Sequence, residues 1–224
     1  AQVADTDHDE MVIVVHAQNV ADLGTKFFNV VSISLLAKLT ETTETPYYIG
    51  AVHENEVENG KQLVKILLDK GCRDIGLIGW EQGDATWLGR WEGYKAGIED
   101  WNTNHPDDQA KLSDPQYAGT SSEGGAKAAE ALMSADPKLD ALIPAGGGGD
   151  PLQGAIAAVE RAGKTGTIKI VSTDFLPDLG ERLQNGSIAG ESGGHYCDPL
   201  YAFMMVYNSI KGNNKEVANN FVDM

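Results

Sequence analysis

Short apolar runs alternate with amphipathic stretches along most of this chain, and that alternation constrains the fold more than any other feature. "MVIVV" (11–15), "TPYYIGAV" (45–52), "DIGLIGW" (74–80), "PQYAG", "DALIPA", "TIKIVSTD" (167–174) and "IAGESG" read as strands. Between them lie "HENEVENGKQLVKILLDKG", "DATWLGRWEGYKAGIEDWN", "TSSEGGAKAAEALMSADP", "DPLQGAIAAVERAG", "LPDLGERLQNG" and "DPLYAFMMVYNSIKG", each with apolar residues three to four apart. Regular strand–helix alternation predicts doubly wound parallel sheets, one or two of them. The early stretch "KFFNVVSISLLAKLTE" (26–41) is expected to be a helix, with Phe27, Val30, Val31, Ser34 and Leu35 on one face.

Punctuation supports these limits. Asn55 with Glu58, and Thr120 with Glu123, have capping-box spacing, and Gly71 stands where a helix should stop. With 224 residues and 42% hydrophobic content, the chain can build one large domain or two smaller lobes. In parallel sheets ligands bind beyond the carboxyl ends of the strands. The loops that matter are therefore 16–26, 53–55, 80–86, 118–121, 145–150, 173–177 and 191–198.

Charge and cysteine usage exclude several classes. A net charge of −16 repels phosphate backbones and anionic lipid, so neither a nucleic acid nor a membrane surface is an expected partner. Cys72 and Cys197 form no disulfide framework and no C-x-x-C spacing, and both read as free or buried thiols. The five histidines are scattered without H-x-x-x-H spacing, so no metal is expected. No nucleophile motif accompanies His16 and His195, which both sit at strand ends, and no catalytic residue is assigned. The start "AQVADTDHDE" lacks a signal-peptide pattern and fits a mature end left by cleavage.

The glycine run in "IPAGGGGDPLQG" tests whether a phosphate could bind. Gly146 and Gly148 begin a dinucleotide fingerprint, but Pro151 occupies the third glycine position and Asp150 stands where an anion would approach. Asp150 reads better as an N-cap, with Pro151 at the first helical position and Gln153 reaching back. No G-x-x-x-x-G-K-[ST] occurs, and no cofactor is expected. Bare backbone at a strand end suits either close approach to an uncharged ligand or a loose turn, and spacing leaves both open. Arg90 lies early in its helix, where a cation opposes the dipole. It either reaches into a pocket as a hydroxyl-holding fork or pairs with Glu54 or Glu81. Trp87 and Phe27 are candidates to stack on a sugar ring, whereas Phe28, Trp91 and Trp101 read as core. Asp174, ending a strand, can accept two hydroxyl hydrogen bonds.

"TPYYIGAVHENEVENGKQLVKILLDKG", "IGLIGWEQGDATWLGRWEGYKAGI", "DPKLDALIPAGGGGDPLQGAIAAVERAGKTGTIKIVSTD" and "LQNGSIAGESGGHYCDPLYAFMMVYNSIKG" resemble, in order, the type I periplasmic solute-binding proteins. These are the ribose- and galactose-type receptors of ABC importers. The resemblance implies two doubly wound α/β lobes with a ligand cleft between them, residues 1–53 plus 195–224 forming the first and 54–194 the second. It implies a non-enzymatic, monomeric, extracytoplasmic receptor that passes a small neutral solute, a monosaccharide or related polyol, to a membrane permease. On the family pattern Arg90, in R-x-x-G-aromatic, falls on a ligand-binding arginine. Asp174 falls on a strand-end aspartate and Phe27 on a stacking aromatic. His16, Trp87, Gly148, Asp150 and His195 complete the expected site. Gly148 stands where ribose-type receptors place an asparagine, so the run is also similar to that of nucleoside-binding relatives. The passage from helix 26–41 into "TPYYIGAV" lacks strand–helix units usual in the family, implying a reduced first lobe or an incomplete sequence.

Overall fold

The computed structural model describes residues 12–15, 30–33, 48–52, 55–145, 150–173, 177–193 and 198–210. The chain divides into two compact units, Ala1–Asn55 with His195–Met224, and Glu56–Gly194.

In the first unit, strands β1 (Val12–Val15), β2 (Val30–Ile33) and β3 (Tyr48–Val52) pair in parallel in sequence order. Helix α6 (Asp198–Ile210) packs across them. Strand β2 corrects the helix expected over 26–41. "VVSI" is a short, mostly β-branched run, which loses rotamer freedom in a helix and packs well on a pleated sheet. In register with Val12–Val15, it completes the ladder between β1 and β3.

The second unit is a parallel sheet of β4 (Asp74–Gly79), β5 (Lys111–Leu112), β6 (Gln116–Tyr117), β7 (Ala141–Pro144), β8 (Lys169–Ser172) and β9 (Gly190–Glu191). The order is β5-β4-β7-β8-β9, with β6 also pairing β4. Strand β5 has no counterpart in the sequence reading. Its two residues hydrogen-bond to β4 but are too few to show a period. Alternation along the strands feeds two apolar cores. Ile75, Leu77, Ile143 and Val171 meet Leu63, Val64 and Leu67 of α1 (Glu56–Asp69) and Tyr94 and Ile98 of α2 (Ala85–Asn104). Ile78, Leu142 and Ile170 meet Ala128, Ala129 and Leu132 of α3 (Ser122–Ala135) and Leu152, Ile156 and Val159 of α4 (Asp150–Arg161).

Helix limits follow local chemistry. Asp84 caps α2 by accepting from the Trp87 N–H at 2.8 Å. Ser121, not Thr120, caps α3, accepting from the Gly124 N–H at 3.0 Å. The α1 helix closes as expected at Gly71, with φ +85°. There the Gly71 and Cys72 N–H groups return to the Leu68 and Leu67 carbonyls. Gln153 does not reach back to Asp150; its Oε1 accepts from Arg182 of α5 (Leu179–Asn185) at 3.0 Å.

Glycines set how closely the helices pack. A Cβ on Gly93 would collide with the Val57 carbonyl, and one on Gly60 with the Arg90 carbonyl, so α1 and α2 touch backbone to backbone. Across the sheet, Gly125 and Gly154 do the same for α3 and α4, against the Pro151 and Ser122 carbonyls.

Candidate functional site

The carboxyl ends of β4, β7, β8 and β9 lie along one edge of the second unit's sheet, where the N-terminal turns of α1 and α2 also arrive. Close α1–α2 packing brings Glu56, in the first turn of α1, against Arg90, in the second turn of α2. The Arg90 Nε donates to Glu56 Oε2 at 2.5 Å and its Nη2 to Oε1 at 3.3 Å. Arg90 is 1% exposed and Glu56 almost as covered, so the pair lies within the fold. The guanidinium stands over the Trp80 ring, 5.3 Å from its centroid. Glu56 is thus a partner that the sequence reading, which named Glu54 or Glu81, did not include; Glu54 lies outside the described residues. An acidic residue in a first turn reads from sequence as a favourable dipole contact and gives no sign of a fork 34 residues away.

Trp87 takes a different place from the one expected. It is fully buried, 6.4 Å from the stacked Trp91 ring and 5.9 Å from Tyr94 edge-on. Its ring fills space that Gly79 leaves open, since a Cβ there would lie 2.9 Å from Trp87 Cε2. It therefore packs the helix–sheet core instead of walling a pocket, while Leu88 faces solvent. Trp91 and Trp101 are half-buried and pack against the same core, as their spacing suggested.

On the same side of the sheet several buried polar atoms have no hydrogen-bond partner among the described residues. Asn59, one turn after Glu56, is 7% exposed, and neither its Oδ1 nor its Nδ2 has one. Thr173 Oγ1, Trp87 Nε1 and Tyr94 Oη are likewise buried and unbonded. Each such group costs about 1–3 kcal/mol when it forfeits water without replacement. Native proteins leave few of them. Burial pushes the Tyr94 phenol far above its ordinary value; Arg90 lowers it and Glu56 raises it by smaller amounts. Tyr94 therefore stays neutral. None of these orphans was singled out from sequence, because one Asn or Thr among core residues has no distinguishing spacing.

Of the other expected site residues, Phe27, His16, Gly148, Asp174 and His195 lie outside the described residues, as do Cys197 and the rest of the glycine run. Asp150 begins α4 with its backbone, and its side chain lies outside them too. Cys72 is a free, buried thiol that donates to the Asp140 carbonyl at 3.7 Å, and burial pushes it up to about 11. Among the described residues no cluster of His, Cys, Asp and Glu could hold a metal ion. No helix among them is long and apolar enough to cross a membrane.

A parallel α/β unit with buried polar groups gathered at the carboxyl edge of its sheet has the architecture of the type I solute-binding fold. Residues 29–211 match the family model described as a periplasmic binding protein domain, and the chain belongs to that family. Solved structures share its fold. A periplasmic sugar-binding protein from Pseudomonas fluorescens aligns with a TM-score of 0.74 at 18% identity, over 93% of this chain and 64% of that one. The binding component of the arabinose ABC transporter from Shewanella sp. ANA-3, bound to L-arabinofuranose, aligns at 0.70 and 22% identity, over 91% and 68%. An ABC transporter solute-binding protein from Actinobacillus succinogenes with bound D-allose aligns at 0.64 and 17%, over 82% and 62%. This chain therefore spans about two thirds of those chains' length or less. No curated protein matches it.

Proposed function

We propose that this chain is a solute-binding receptor, or the greater part of one, that captures a small neutral polar solute, a monosaccharide, for ABC-type import outside the cytoplasm. The observation that carries the reading is membership of the periplasmic binding protein domain family over residues 29–211. It is supported by structural neighbours described with D-allose, D-fucose and L-arabinofuranose bound. The permease, the periplasmic location and the monomeric, non-enzymatic character belong to the same reading.

The chemistry at the sheet edge agrees with an uncharged ligand. A free guanidinium would favour a carboxylate or phosphate, whereas Arg90 carries Glu56 on its fork and presents no net charge with it. A phosphate-binding enzyme finds no support in a glycine run followed by Asp150. We assign the solute to the carboxyl edge of the second unit's sheet, with Arg90 and Asp174 as hydroxyl partners and Phe27 as a stacking ring. Backbone at Gly148, with Asp150, His16 and His195, completes the proposed set.

Thermal unfolding of the purified protein with pentoses, hexoses, nucleosides, NAD and ATP tests this reading. A bound sugar at one hundred times its Kd adds about 2.7 kcal/mol to stability. For a chain of this size that corresponds to roughly 5–10 °C. A shift with nucleosides alone moves the assignment to a nucleoside receptor of the same fold. A shift with NAD or ATP and no sugar refutes it.

A further inference from the structure

We propose that the side chains of Asn59 and Thr173 are hydrogen-bonding contacts for the hydroxyl groups of the neutral solute. The inference rests on the receptor reading above and adds two residues to the set assigned there.

Asn59 and Thr173 come from different elements that pack together, α1 lying against β8 and β9. Strand β9 runs beside β8 with Val171 opposite Gly190 and Ser172 opposite Glu191, and the Ser192 N–H donates to the Ser172 carbonyl at 3.0 Å. Thr173 and Ser192 thus end adjacent strands in step. One residue further on, Gly193 adopts φ +91°, and a Cβ on it would lie 2.7 Å from Asn59 Nδ2. Val171 belongs to the core beneath α1 and α2, and Thr173, two positions on, continues on that face. Asn59 lies one helical turn from Glu56 and so shares its face of α1. The two orphans therefore stand at the β8–β9 end of the sheet on the side that holds the Arg90–Glu56 pair.

Both are more than nine-tenths buried, and their side-chain polar atoms have no partner among the described residues. An amide offers two donors and an acceptor oxygen, and a threonine hydroxyl offers one donor and an acceptor. That set complements the adjacent hydroxyls of a sugar, each of which also donates and accepts. Neither residue is charged, and the neighbouring ion pair is internally compensated, so the set favours a polyol over a sugar acid or sugar phosphate. Gly193 lies directly against the Asn59 amide, and any side chain there would press on it.

The test uses Asn59→Leu and Thr173→Val, which keep shape and remove hydrogen bonding, with thermal unfolding and calorimetric titration against D-allose, D-fucose and L-arabinose. Each unliganded variant should melt at or above the wild-type temperature, because an unbonded polar group has been replaced by an apolar one. Affinity for whichever sugar protects the wild type should fall about tenfold or more in each, whereas Thr173→Ser should keep it. Variants that bind the sugar as well as wild type overturn this inference alone and leave ordered water as the partner of the two groups. A loss of several degrees in both unliganded variants also overturns it, since the groups would then be bonded within the fold. If wild type responds to none of the sugars, the receptor reading fails and this inference fails with it. If Asn59→Leu does not fold, the Thr173 pair decides the matter.

Discussion

The two faces of the second unit's sheet are built alike and filled differently. On each face a pair of helices meets through glycines, α1 with α2 by way of Gly60 and Gly93, and α3 with α4 by way of Gly125 and Gly154. Beneath α3 and α4 the filling is Ala, Leu, Ile and Val throughout. Beneath α1 and α2 the same close packing encloses Glu56, Arg90, Asn59, Trp87 and Tyr94, with several polar atoms unsatisfied. An apolar face needs nothing beyond itself, whereas a face with buried, unbonded polar groups forgoes stability. Under the proposal above, that contrast gives structure to one face and recognition to the other.

The largest expected effect that could break this comparison comes from Arg90→Met. It strands the Glu56 carboxylate in the fold and should cost about 3–5 kcal/mol, read as a lower urea midpoint. Adding Glu56→Leu should restore most of that stability without restoring sugar binding. If the double variant still binds the sugar that stabilises wild type, Arg90 has no part in recognition. On the opposite face, Leu142→Ala should cost about 2–5 kcal/mol by leaving a cavity under α3 and α4. Sugar affinity, measured by titration at a temperature where the variant remains folded, should stay unchanged. A loss of affinity there would mean the two faces do not divide their roles.

Gly154→Ala is a smaller test of the same symmetry. Its Cβ meets the Ser122 carbonyl, and forcing α3 from α4 should cost about 1–3 kcal/mol. Gly93→Ala, against the Val57 carbonyl, should match it in urea unfolding but also weaken sugar binding, because α1 would carry Glu56 and Asn59 away.

The smallest effect concerns pH. Burial, with Asp140 adding to it, raises Cys72 from 9.0 to about 11, so the unfolded thiol ionises before the folded one. Its contribution to stability is complete below pH 9 and is lost as pH rises toward 11. Denaturant midpoints should show that decline, and Cys72→Ala should flatten it. At pH 8 the folded thiol should resist a thiol reagent that labels the unfolded chain.

Several elements were legible because their signals are local. The strand–helix order of the second unit follows from runs such as "DIGLIG" and "KIVS" and from the stop at Gly71, each decided by neighbours within one turn. "VVSI" reads as helix because Val30 and Val31 also fall on a three-to-four spacing with Phe27, Ser34 and Leu35, and the ladder with β1 and β3 decides for strand. Trp87 and Trp80 could not be sorted by spacing alone. Which ring enters the core depends on the space Gly79 leaves, eight positions before Trp87.

The sequence by itself determined the alternating parallel architecture, the family, and Arg90 as a residue needing an explanation, since these rest on period, caps and motif spacing. Only the tertiary structure decided that Glu56 holds Arg90 and that Asn59 and Thr173 stand unbonded at one end of β8 and β9. Such pairings join residues far apart in the chain, and no local pattern records them: they exist only when glycine-to-glycine packing brings α1 against α2 and sheet register brings Thr173 level with Ser192.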